Sequence, residues 1–207
     1  MPFRDRPWLA VVLAGTFAMA LLVARVLHTG QLTYLFLVWN LWLALVPLIL
    51  AGPERGGPVR FLLWWLFFPN APYLVTDLVH LEPRSAPYWF DIGMLVAFAW
   101  AGLLAGSLAL ERMYSRIEGR ALRALFLMSV AASSGFAIWL GRFLRLNSWD
   151  PLLRPRASVA LVTRALSEGL WMQAFGVTAL FGALVLVVFT GATPVLRPQP
   201  ARDARSE

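Results

Sequence analysis

The sequence predicts an all-α integral membrane protein, a bundle of six transmembrane helices whose third helix is kinked at a Pro-Asn-Ala-Pro stretch. Three observations predict it. Of 207 residues 59% are hydrophobic and only 14% are charged, whereas soluble domains carry roughly a quarter charged residues. The mean hydropathy is +0.67, so lipid is the solvent that suits such a surface. The apolar residues also fall in runs of about 20, the length that crosses a hydrocarbon core of about 30 Å.

Taken in order, the first run is Trp8–Leu27, behind the charged start Arg4-Asp5-Arg6. Arg4, Arg6, the apolar stretch and Ala18-Met19-Ala20 also have the layout of a signal peptide with its small-residue cleavage site. The run continues through Val23, which favours a spanning helix. The second is Leu32–Ala51, interrupted by Asn40 and Pro47 and closed by Gly52-Pro53. The third, Phe61–Leu81, contains Pro69-Asn70-Ala71-Pro72, where missing backbone donors force a kink. The fourth, fifth and sixth are Asp91–Leu110, Ala121–Phe143 and Leu170–Thr190. Between the last two, Ala157–Glu168 reads as a short interfacial helix with Arg164 and Glu168 at i,i+4. Residues 1–193 form a single polytopic domain, and 194–207, rich in Pro and Arg, are expected to be a disordered tail.

All eighteen basic residues are arginine. With the N-terminus inside, eleven fall on the cytoplasmic side and seven outside, and five of those seven lie between the fifth and sixth spans. The positive-inside rule therefore orients both termini to the cytoplasm, in a bacterial inner membrane. The formal charge of +7 is a matter of topology and headgroup contact here, and no nucleic acid is expected as a partner. The chain has no cysteine, which excludes disulfides, thiolate metal sites and a Cys nucleophile. With His28 and His80 the only histidines, a His-rich metal site is excluded too. No G-x-S-x-G, H-E-x-x-H or P-loop occurs.

Ionisable groups at the edge of lipid-embedded helices are expensive and mark candidate sites. This topology brings Asp77, His80, Asp91, Arg142, Arg145, Asn147 and Asp150 to the outer side from three segments, with Asn70 nearer the membrane middle. Asp77 and His80 share a helix face, three residues apart. Helical spacing sets Arg145 in line with Ser134 and Gly141, with Arg142 turned away. Asp77, His80 and Asp150 are the candidate catalytic residues; Asn40, Asn70, Arg142, Arg145 and Asn147 are the candidate substrate-binding residues. No cofactor is identified from the sequence; a divalent metal is the candidate considered, with Asp77, His80 and Asp91 as its candidate ligands. The blander readings are an Asn40 hydrogen bond between helices two and three, and an Asp77 ion pair with an arginine of helix five. Gly102 and Gly106, in G-x-x-x-G spacing, offer a contact for a homodimer or a larger membrane complex.

The stretches Phe36–Leu41, Phe67–Leu78 and Gly141–Asp150 resemble the motifs of a bacterial membrane family catalogued as domain of unknown function 1361. The resemblance runs from about helix two through helix six. It implies a multi-span membrane protein and supplies no substrate. From the residues themselves, the expected function is binding or enzymatic processing of an anionic, phosphate-bearing membrane lipid at the outer face. The alternatives are a small-solute or ion transporter, or a non-catalytic subunit of a membrane complex.

Overall fold

The computed structural model describes residues 6–52, 56–81 and 87–196, and every regular element among them is helical. Helix α1, Pro7–Thr29, opens on a proline whose missing N–H is not needed there. It closes at Gly30, where φ of 67° lets the backbone N–H return to the Val26 carbonyl. Its inner face, with Ala18, Leu22 and Arg25 buried, lies against the central helix α5, Tyr88–Tyr114.

Helix α2, Phe36–Leu50, is shorter than its apolar run, because residues 33–35 form a turn instead. Its last carbonyls face α5 and α3, and three arginines satisfy them. Arg60 Nε donates to Leu50 O at 2.6 Å, Arg116 Nη2 to Ala51 O at 3.2 Å and Arg112 Nη1 to Leu48 O at 3.4 Å. The groups that a helix end leaves open, and its negative dipole, are thus matched by cations from α3, α5 and the turn after α5.

The third span is broken as the prolines require. Helix α3, Pro58–Phe67, stops before Pro69; a single turn, α4, Asn70–Tyr73, follows, then a 3-10 segment, Leu74–His80. Pro69 and Pro72 each lack a donor, and local substitutes appear. Asn70 Nδ2 donates to Phe67 O at 2.8 Å and the Ala71 N–H to Phe68 O at 3.1 Å. Seven residues is a long 3-10 run, since most end after three or four.

Helix α6, Arg120–Phe143, pairs with α9, Trp171–Leu196, through small residues. A Cβ on Gly135 would collide with the Thr178 carbonyl, and one on Gly182 would sit 3.2 Å from Ala131 O. Trp139 Nε1 donates to Gln173 Oε1 at 3.1 Å across the same seam. Between α6 and α9 lie α7, Asp150–Leu153, and α8, Pro155–Ala165, joined to α9 through a kink at Leu166–Leu170 where Gly169 takes φ 94°. Arg164 Nε meets Glu168 Oε1 at 2.8 Å on the exposed side of α8.

Four stretches are long and apolar enough to cross a membrane: α1, α5, α6 and the α8–α9 run Pro155–Ala192. Together with the many large apolar side chains exposed along them, among them Phe17, Val23, Leu180 and Val187, they make the chain a membrane-embedded helical bundle. The expected second span is present as a shorter apolar helix, α2, and the expected third is broken into short segments, so neither is among the four. The short helix expected at Ala157–Glu168 is present as α8, Pro155–Ala165, and α9 runs to Leu196, into the expected tail segment. Residues 197–207 lie outside the described residues, as do Arg4, Arg55 and Arg84.

Gly102 and Gly106 do not form a free face. A Cβ on Gly102 would stand 2.6 Å from Leu74 Cδ1 and 2.7 Å from Ala71 O, and one on Gly106 would stand 2.8 Å from Ala71 Cβ. The G-x-x-x-G stripe is the seat on which the broken third span rests, so the contact expected to serve a partner is occupied within the chain.

Candidate functional site

The polar residues gather at the end of the bundle where α1 and α6 finish and α5 begins. Arg142, in the last turn of α6, is the hub. Its Nη2 lies 2.8 Å from Asp77 Oδ1, its Nε donates to Thr76 Oγ1 at 3.1 Å, and its Nη2 also meets Thr76 Oγ1. The guanidinium carbon stands 4.7 Å from the centre of the Tyr73 ring, a cation–π contact. Nη1 lies 3.1 Å from His80 Nε2. A guanidinium only donates, so Nε2 accepts and the imidazole proton belongs on Nδ1. The other Asp77 oxygen accepts from Asn40 Nδ2 at 2.8 Å. Asp77, 2% exposed, therefore has both oxygens engaged.

A second buried pair stands beside the first. Arg25 Nε and Nη2 reach Asp91 Oδ1 and Oδ2 at 2.9 and 3.3 Å, with residue exposures of 3% and 0%. The Tyr34 ring lies 4.6 Å under the Arg25 guanidinium, and its hydroxyl donates to the His80 carbonyl at 3.3 Å. Phe36 packs edge-on against the His80 ring, with centroids 4.9 Å apart. The two ion pairs thus form one continuous network joining α1, α2, the 3-10 segment, α5 and α6.

In front of this network opens a cleft of about 310 Å³, flanked by α2 and α6 with the broken third span behind. Leu43, Leu66, Ala137 and Leu140, all half-buried, give it an apolar wall, and Asn40, Asn70, Tyr73, Ser148 and Trp149 are half-buried liners beside them. Arg145, Asn147 and Trp39 are exposed liners, and Arg145 and Asn147 mark its mouth. The segment after α6 creates the mouth by turning back on itself: Leu146 N–H donates to Leu140 O at 3.2 Å, and Ser148 exchanges hydrogen bonds with Asn70 at 2.9 and 3.3 Å. Asn147 supplies its backbone N–H and its Nδ2 to Asp150 Oδ2, at 2.6 and 3.2 Å. Arg145 makes that reversal possible with φ of 55°, and it is the only non-glycine residue with positive φ among those described. It is exposed and makes no ion pair or hydrogen bond among the described residues.

The expected residues therefore divide. Asp77, His80, Asn40 and Arg142 meet as anticipated, but in a network whose strongest groups are already matched. Arg145, Asn70 and Asn147 line the cleft, and Asn40 belongs to both. Asp150 braces the loop through Asn147. Arg145 does not continue the helical line through Ser134 and Gly141, because α6 ends at Phe143. Asn70 is not left alone at depth, because the loop folds down to it through Ser148. Asp91 does not join Asp77 and His80 as a metal ligand; Arg25 engages it, and no group of three or more His, Asp or Glu able to hold a metal forms among the described residues. Arg25 is not among the candidate residues read from the sequence. Its place inside the apolar run Trp8–Leu27 is the signal that finds it, since a cation there demands a partner.

Fold and site together define a membrane-embedded helical protein with a buried double ion-pair network and an amphipathic cleft at one end. The chain belongs to the family described as Protein of unknown function (DUF1361), whose profile matches residues 39–188. That range holds every residue that lines the cleft and stops short of α1 and Arg25. No curated protein and no solved structure matches the chain.

Proposed function

We propose that the chain binds an anionic, phosphate-bearing lipid in the α2–α6 cleft, at the outer face of a bacterial inner membrane. The carrying observation is Arg145: a guanidinium without an ion-pair partner among the described residues, held in a conformation usually left to glycine, in a cleft whose other polar liners are neutral and whose remaining wall is apolar. Arginine donates bidentate hydrogen bonds to phosphate oxygens, and Asn70, Asn147 and Ser148 supply neutral partners beside it. Leu43, Leu66 and Leu140 suit the glycerol and upper acyl region. A volume of about 310 Å³ lies at the small end of ligand pockets, which run from about 300 to 1,000 Å³. It fits a headgroup, with the tails left along the exposed surface of Trp39 and Trp42.

Binding is favoured over chemistry because Asp77 and His80, the natural acid–base pair, are tied to Arg142 and do not line the cleft. Native mass spectrometry of the detergent-purified protein tests the reading. Wild type is expected to retain phospholipid and Arg145→Ala to lose it; equal retention by both would overturn the proposal.

A further inference from the structure

Resting on that reading, we infer that the cleft selects lipids whose headgroup carries one negative charge, a phosphodiester, and discriminates against phosphomonoesters and diphosphates. The argument is one of charge matching. Among the described residues that line the cleft, Arg145 is the one charged side chain. Its neighbour Arg142 lends no second charge, since it does not line the cleft and Asp77 neutralises it at 2.8 Å. The other polar liners, Asn40, Asn70, Asn147 and Ser148, are neutral. They can hydrogen-bond to ester or hydroxyl oxygens, but they offset no charge. Asp150, which accepts from Asn147, is the nearest charge in that loop after Arg145 in sequence, and its sign opposes a second anionic group.

A phosphomonoester carries about −1.5 to −2 near neutral pH. In this cleft it would keep roughly one charge unmatched, against leucine walls that solvate charge poorly. A phosphodiester is neutralised completely by one bidentate guanidinium.

The test is a titration of the purified full chain, read by native mass spectrometry, with phosphatidylglycerol, phosphatidic acid, a polyprenyl diphosphate and phosphatidylethanolamine. Phosphatidylglycerol is expected to bind at least about tenfold more tightly than phosphatidic acid and the polyprenyl diphosphate, with phosphatidylethanolamine as the phosphodiester control without net charge. Arg145→Gly should remove that preference, and because it eases the backbone at φ 55°, a folding defect would not account for the loss. Arg145→Lys should keep the preference for phosphatidylglycerol at reduced affinity. If phosphatidic acid or the diphosphate binds as tightly as phosphatidylglycerol, still through Arg145, the charge selection is overturned and lipid binding stands. If no anionic lipid depends on Arg145, both fall.

Discussion

Arg145 occupies a left-handed conformation that costs an L-residue about 1–2 kcal/mol, at the position past a helix end where glycine is usual. A chain built for stability alone would place glycine there, and the discrepancy separates structure from function. Arg145→Gly is expected to leave Tm unchanged or slightly raised while abolishing lipid retention, checked by thermal unfolding beside native mass spectrometry. Asp77 presents the opposite case. Its carboxylate holds Arg142 and Asn40 in a buried setting, so Asp77→Ala leaves a cation unmatched. The expected loss is about 3–5 kcal/mol, and the Asp77→Ala, Arg142→Ala double variant should lose much less than the sum, measured by unfolding in mixed micelles. Both arginines stand in one sequence motif, Gly141–Asp150, and residue type alone does not assign them different roles. The helix was projected through Arg145, whereas the backbone reverses there, and a positive φ on arginine leaves no trace in composition.

The broken third span is the element on which the cleft depends. Pro69-Asn70-Ala71-Pro72 announced the break, because two missing donors cannot be hidden inside a helix. The 3-10 continuation could not be foreseen. It arises because Leu74 and Ala71 must lie against Gly102 and Gly106, a tertiary demand that local preference does not contain. For the same reason the glycine spacing on α5 looked like a dimer contact, when it is an internal seat. Gly102→Val should push the 3-10 segment off α5 and cost about 1–3 kcal/mol by overpacking. It should also weaken lipid binding, since Tyr73 and Asn70 move with that segment. Gly93→Val on the same helix has open space around it and should do neither. Thermal unfolding of the two variants side by side makes the comparison.

At the scale of the molecule, apolar runs and arginine counts were enough to read a helical membrane protein, because burying backbone polar groups in lipid leaves few other options. The partnership of α1 with α5 was not legible, since Arg25 and Asp91 stand 66 positions apart and neither belongs to a motif. Tyr34 joins that pair to the Arg142 network. Tyr34→Phe is therefore expected to reduce the coupling between Arg25 and Arg142 variants, which a double-mutant cycle should place at about 0.5 kcal/mol or more in the parent protein. The absence of native cysteine makes the proposed orientation directly testable. A Ser167→Cys variant should react with a membrane-impermeant maleimide in intact spheroplasts and a Ser115→Cys variant should not; the reverse pattern would invert the topology. Helix α2 adds a consequence for the surrounding bilayer. Its 15 residues rise only about 22 Å, some 8 Å less than an average hydrocarbon core, and it forms one wall of the cleft. Local thinning is one way a bilayer meets so short a helix, and under the proposed binding mode it would draw headgroups down toward Arg145. Bilayers of shorter acyl chains are already that thin, so chain length, as well as headgroup, becomes a determinant of how readily the cleft is filled.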